Sequence, residues 1–293
     1  MKGVRPAVVA LALAAGGCTV PASAPAVSDD GWIYQLQGYP GGRLDEIVAR
    51  RPPYAVIDLA RDSAADYFHA DEITSLRTAG TTVLAYFEIG GIEDFRADFP
   101  AVRDRGLLLN EWPDWPGERF GRYWDPAWWD LVVRPRLDRA LAAGFDGAYL
   151  DTPLAYEEID LARVPVWDRD RLARAMSDLI VRISRYAKAV RPGFRIVPQN
   201  SPELRHQAGY TDAIDGVGIE ELFYRATDER CEQRYCAENL ADVEALRDDG
   251  KFVLAVDYAV NPGHVRTLCA RYRKERFAGY VGVRELDRIG VSC

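Results

Sequence analysis

No glycine-rich phosphate fingerprint follows the first apolar run of this 293-residue chain, which disfavours a doubly wound dinucleotide-binding sheet. A basic stripe is missing too. The formal charge is −8, so nucleic acid is not expected as a partner, whereas a neutral or cationic ligand is electrostatically welcome. Histidine is scarce, with three in all, and none stands with cysteines at ligand spacing, which argues against a zinc site. From Trp32 onward no shift in composition marks a second domain.

What is present begins with an address. Residues 1–17 read as a signal peptide: Lys2 and Arg5 form a basic start, Pro6 to Ala15 an apolar core, and Ala15-Gly16-Gly17-Cys18 a small-residue cleavage site. A cysteine after such a site resembles a bacterial lipobox, in which Cys18 is lipidated and anchors the chain at the envelope, with simple secretion as the alternative. Residues 18–30, rich in Pro and Ala, read as a flexible tether, and residues 31–293 as the folded domain. Setting Cys18 aside leaves Cys231, Cys236, Cys269 and Cys293, an even number in an exported chain, which predicts two disulfides. The expected pairs are Cys231 with Cys236 and Cys269 with Cys293, although four cysteines allow three connectivities.

Short β-rich runs then alternate with amphipathic helical stretches. Strands are expected at residues 32–36, 54–59, 83–88, 147–151, 194–199, 216–220, 252–257 and 279–283. Helical periodicity covers 43–49, 71–79, 126–143, 169–190, 237–249 and 262–275, with Gly80, Gly144 and Gly250 as stops; the crossover near residues 202–211 reads poorly as a helix. Eight such units in about 260 residues predict a single-domain α/β fold of the (β/α)8 TIM-barrel type. In a barrel the polar residues at the strand ends face one mouth: Gln35 and Gln37, Asp58, Glu88, Asp151, Asn200, Glu220, Asp257 and Arg284.

Strand parity selects among these. In the fourth strand Ala148 and Leu150 can pack on helices, which leaves Gly147, Tyr149 and Asp151 inward; in the sixth, Gly216, Gly218 and Glu220 face the lumen and Glu221 is expected to point away. Two carboxylates at strand ends are the minimum equipment of a glycosidase, and neither metal nor organic cofactor is required. A strand-end Asp can equally be a helix cap. Five of the seven tryptophans fall between residues 112 and 129, on the connection after the third strand. Trp112, Trp115 and Trp124 are candidate platforms for sugar rings, whereas Trp128 and Trp129 open the next helix and can equally pack in the core.

The runs Trp32-Ile33-Tyr34-Gln35-Leu36-Gln37, Val56-Ile57-Asp58, Leu84 to Gly90 with Glu93-Asp94 and Arg96, Tyr123-Trp124-Asp125-Pro126, Gly144 to Asp151 and Gly218 to Tyr224 resemble glycoside hydrolase family 114. The resemblance spans most of the chain. It implies a (β/α)8 barrel with endo-α-1,4-polygalactosaminidase activity, acting by a retaining mechanism with Asp151 as nucleophile and Glu220 as acid/base. Gln37, Asp58, Tyr86, Glu88, Trp115, Trp124, Asn200 and Asp257 are then expected to meet an amino-sugar polymer, although Asp58, Glu88 and Asp257 can equally be structural hydrogen-bonders at strand ends. One departure stands out: many members read Ser-Ile-Gly-Glu where this chain has Glu88-Ile89-Gly90-Gly91, so a carboxylate has moved three positions back. The chain is expected to act as a monomer. The competing expectations are a non-catalytic surface barrel that binds exopolysaccharide without cleaving it, and a glycosidase of another amino-sugar linkage. Intact Asp151 and Glu220 argue for catalysis.

Overall fold

The computed structural model describes residues 31–293; the expected signal peptide, Cys18 and the tether lie outside the described residues. Strands form at all eight expected runs: β1 (Trp32–Tyr34), β2 (Tyr54–Asp58), β3 (Thr82–Glu88), β4 (Gly147–Asp151), β5 (Arg195–Pro198), β6 (Gly216–Glu220), β7 (Phe252–Tyr258) and β8 (Ala278–Gly282). β1 to β5 pair in parallel in chain order, and so do β6 to β8. A parallel bridge between Gln199 and Gly218, with Asn200 N donating to Gly218 O at 2.8 Å, joins the two sets. At the remaining seam the Trp32 ring lies 5.7 Å from that of Tyr280. There the strand Val291–Ser292 covers β8 in antiparallel fashion and Cys293 N donates to Gly279 O at 2.9 Å.

Alternation along the strands separates two apolar layers. Trp32, Tyr34, Val56, Leu84, Tyr86, Tyr149, Val256, Tyr258 and Tyr280 fill the lumen, while Ala148, Leu150, Val217 and Ile219 pack outward on the helices. The fourth and sixth strands therefore follow the expected parity. A lumen built largely of tyrosine is apolar in bulk yet keeps hydroxyls available at its upper end.

Helices Arg169–Val190 and Pro262–Glu275 have the expected bounds. The stretch expected as one helix over 126–143 instead comprises a turn at Pro126–Trp128, a π-helical segment Trp129–Val133 and a helix Arg134–Ala143. Pro135 explains the break, because it has no N–H to give to the preceding turn and its ring crowds the carbonyl there. The poorly helical crossover is a 3-10 turn at Pro202–His206 followed by a short helix, Tyr210–Ala213. Both disulfides pair as expected, Cys231 with Cys236 and Cys269 with Cys293.

Candidate active site

Asp151 ends β4 with both carboxyl oxygens engaged by neutral donors. Tyr86 OH donates to Oδ2 at 2.5 Å and Thr152 N to Oδ1 at 2.6 Å. Parallel register makes the first contact, since Tyr86 lies beside Tyr149 and Glu88 beside Asp151, so a lumen-facing phenol on β3 reaches up to the neighbouring strand end. Burial, then the charge of Glu220, pushes Asp151 up to about 7, against the pull of the Tyr86 and Thr152 bonds.

Glu220 ends β6 in the same manner. Its Oε1 accepts from Tyr258 OH at 2.6 Å, and its backbone N donates to Asn200 Oδ1 at 2.9 Å. Burial raises its carboxyl, and the hydrogen bonds of Tyr258, Gln199 and Asn200 oppose the rise. Gln199 is itself held by Tyr34 OH at 3.2 Å. Below the pair lies Tyr149, whose buried hydroxyl has no hydrogen-bond partner among the described residues; a β-carbon at Gly218 would collide with it. The chain then leaves each strand through a residue in the left-handed region: Thr152 (φ 61°) after β4, Asn200 (φ 61°) after β5 and Glu221 (φ 54°) after β6. For a β-branched residue such as Thr152 this is a strained conformation, of the kind that concentrates at functional sites. Thr152 Oγ1 in return accepts from Gly90 N and Gly91 N, each at 2.9 Å, tying the loop after β3 to the end of β4.

Three carboxylates expected to meet substrate have other occupations. Asp58 and Glu88 are each 1% exposed and belong to a buried ion-pair network. Arg96 binds Asp58 at 2.9 Å, Glu88 at 2.6 Å and Glu93 at 2.7 Å, and Arg136 joins Glu88 at 2.7 Å to Asp98 at 3.0 Å. Burial raises Glu88, but Arg96 and Arg136 outweigh it and hold the carboxyl down at about 2. Asp257 is misplaced by parity. Phe252, Leu254, Val256 and Tyr258 take the lumen side of β7, so Asp257 faces the helices at 0% exposure and accepts from Phe223 N at 2.8 Å, Tyr224 N at 2.6 Å and Tyr272 OH at 2.5 Å. It anchors the loop after Glu220 rather than a ligand.

Of the tryptophans, Trp128 is fully buried and donates to Ile89 O at 2.8 Å, and Trp129 is buried as well. Trp124 is half-buried against Trp167 (4.5 Å between centroids) and Trp112 against Phe120 (5.6 Å). Trp115 stays 42% exposed, with the Arg284 guanidinium 4.8 Å over its ring. Gln37 is exposed and bonds Glu285 O at 2.7 Å. Glu221, expected to point away, follows the strand where alternation has ended; burial pushes it up to about 7 against the pull of Arg284. Sequence reasoning misses Tyr258, which continues the lumen parity of β7, and Glu118, which lies in the strand Glu118–Gly121 of a small antiparallel sheet after β3. Parity extended by one residue would have found the first. For the second the tryptophan-rich run carries no clear signal.

The profile of glycoside-hydrolase family GH114 matches residues 15–293. An uncharacterised protein of Deinococcus radiodurans is 32% identical over 275 residues, covering 92% of this chain and 86% of its own. One from Methanocaldococcus jannaschii is 32% identical over 235 residues, covering 78% and 66%. Among solved structures, the glycoside hydrolase domain of PelA from Pseudomonas aeruginosa superimposes with a TM-score of 0.69 at 20% identity, covering 89% of this chain and 98% of that one. Aspergillus fumigatus Ega3, in complex with galactosamine, gives 0.70 at 18% identity, covering 95% and 100%. Those two likenesses are of fold, and the profile and the sequence relatives supply the kinship: this chain is a glycoside hydrolase belonging to family GH114.

Proposed function

We propose that the chain is an exported, endo-acting hydrolase of galactosamine-containing polysaccharide that works with retention through Asp151 and Glu220. The observation that carries the reading is the pair itself: two lumen-facing carboxylates at strand ends, one strand apart, each bonded by a tyrosine hydroxyl and, among the described residues, neither by a cation. Two strand spacings put their backbones about 9.6 Å apart, and retention requires the two carboxyl groups to stand ~5–5.5 Å from each other. Asp151 attacks the anomeric carbon while Glu220 gives its proton to the departing glycosidic oxygen. Glu220, now ionised, takes a proton from the water that attacks the same carbon and releases Asp151. Burial raises both groups above the ordinary carboxylate range, and the charge of Glu220 adds to the rise at Asp151, which favours one proton held on the pair, the inventory this sequence of steps needs.

The galactosamine bound to Ega3, a protein of the same fold, supports an amino sugar as substrate, and the acidic balance of the chain agrees. Two disulfides support an oxidising compartment, and Cys18 supports a lipid anchor at the envelope. The test uses α-1,4-linked galactosamine oligomers, with mass spectrometry locating the cuts and proton NMR reading the anomer formed first. Internal cuts with the α-anomer first are expected; the β-anomer first would replace retention by inversion, and no cleavage would remove the substrate.

A further inference from the structure

The wall beside Asp151 carries a buried carboxyl oxygen that no group among the described residues satisfies. Glu118 stands directly opposite Glu93 in the antiparallel sheet after β3, is 6% exposed, and has Oε1 buried without a hydrogen-bond partner. An unpaired buried polar group costs on the order of 1–3 kcal/mol, and more when charged, so stability does not account for it.

Its location is informative. By the resemblance to the family, the glutamate of its Ser-Ile-Gly-Glu pattern falls on Gly91 of this chain. A β-carbon added to Gly91 would lie 2.5 Å from Glu118 Oε1. The space where a side chain at position 91 would start is thus filled by the Glu118 carboxyl, which arrives from the paired strand. Gly91 is not in the left-handed region, so its backbone does not itself call for glycine. Gly91 N also bonds Thr152, the residue next to Asp151, and Asp151 is the charged group that acts most on Glu118.

No guanidinium is left for Glu118. Arg96 and Arg136 are engaged by Asp58, Glu88, Glu93 and Asp98, and burial, then the charge of Asp151, raises the Glu118 carboxyl well above the ordinary range, a rise that a cation arriving beside it would oppose. Among the described residues no cluster of three His, Cys, Asp or Glu groups stands at metal-binding geometry, so an organic cation fits better than a metal. We infer that the Glu118 carboxyl, reaching across the sheet into the place of the motif glutamate, receives the ammonium group of the hexosamine bound beside Asp151. This rests on the amino-sugar reading above and adds the residue that recognises the amine.

The test is titration of galactosamine and of galactose into the full chain, followed by NMR. The unaltered protein is expected to favour galactosamine about tenfold, the return on one charge-assisted hydrogen bond. Glu118→Gln should lose that preference while keeping its galactose affinity, with a melting temperature equal or higher because an unpaired acid has gone. A double variant, Glu118→Gly with Gly91→Glu, should restore it by returning the carboxyl to the motif position. If Glu118→Gln keeps the preference, the assignment of Glu118 is overturned, while cleavage of galactosamine oligomers by the unaltered chain leaves the substrate reading intact. An unaltered chain that shows no preference and cleaves no such oligomer overturns both.

Discussion

Two walls of the same mouth treat the same side chain in opposite ways. On β2 and β3, Asp58 and Glu88 meet guanidinium groups; on β4 and β6, Asp151 and Glu220 meet phenol hydroxyls. Glu88 and Asp151 are even neighbours in register. Position at a strand end brings a carboxylate to the mouth, but the donor facing it decides what it can do there. Arginine cancels the charge and never yields its proton, so Glu88 stays ionised and fixed. A tyrosine hydroxyl orients a carboxylate without cancelling its charge. Burial, then the charge of Glu220, raises Asp151 to about 7.

The largest effect should come from breaking the side of this comparison proposed to be catalytic. Asp151→Asn should lower turnover by on the order of a thousandfold or more while leaving the fold intact. The folded value of about 7 lies above the ordinary carboxylate value, so the stability linked to Asp151 is present at low pH and lost as pH rises through about 7. The asparagine variant escapes that loss. Its melting temperature should therefore exceed that of the unaltered chain by more at pH 8 than at pH 4, and an equal difference at both would contradict the raised value.

Breaking the other wall should cost stability first. Arg96→Met leaves Asp58, Glu88 and Glu93 buried without their shared cation, a loss of roughly 3–5 kcal/mol on the scale of broken buried pairs, readable by urea unfolding. Adding Asp58→Asn should recover part of it. Unfolding unchanged by Arg96→Met would show that the network is not what holds this wall together.

The smallest of the three effects sharpens the comparison. Tyr86→Phe removes one donor from Asp151, so the acid limb of the kcat/KM profile should move to higher pH and the maximum fall by about tenfold. A lower maximum with the limb unmoved would make Tyr86 a packing residue of the lumen.

The eight strands are legible in the sequence because β-rich runs bounded by glycine and helix-stop signals recur at barrel spacing, and the orientation of Asp151 and Glu220 follows from alternation alone. Asp257 is subject to the same rule, which read from Phe252 sends it outward. The fates of Asp58 and Glu88 are a different matter: Arg96 reaches Asp58 from 38 residues away and Arg136 reaches Glu88 from 48, and the nearer Arg96–Glu88 pair, eight residues apart, crosses from a strand into its loop, where no strand or helix period reports it. Glu118 is hidden for a related reason. Its carboxyl meets the space beside Gly91 only once the small sheet has paired residue 118 with Glu93.

Thr152, Asn200 and Glu221 stand where three neighbouring strands hand the chain to their loops. Each left-handed residue ends the period-two code of its strand, so whatever follows cannot propagate a change of register back to the side chain before it. The barrel below and the loops above are thereby uncoupled as units of variation. A longer or shorter connection grafted after Thr152 or Glu221 inherits a carboxylate already aimed, and a family built this way can revise the loops that line the mouth without rebuilding the strand-end pair beneath them.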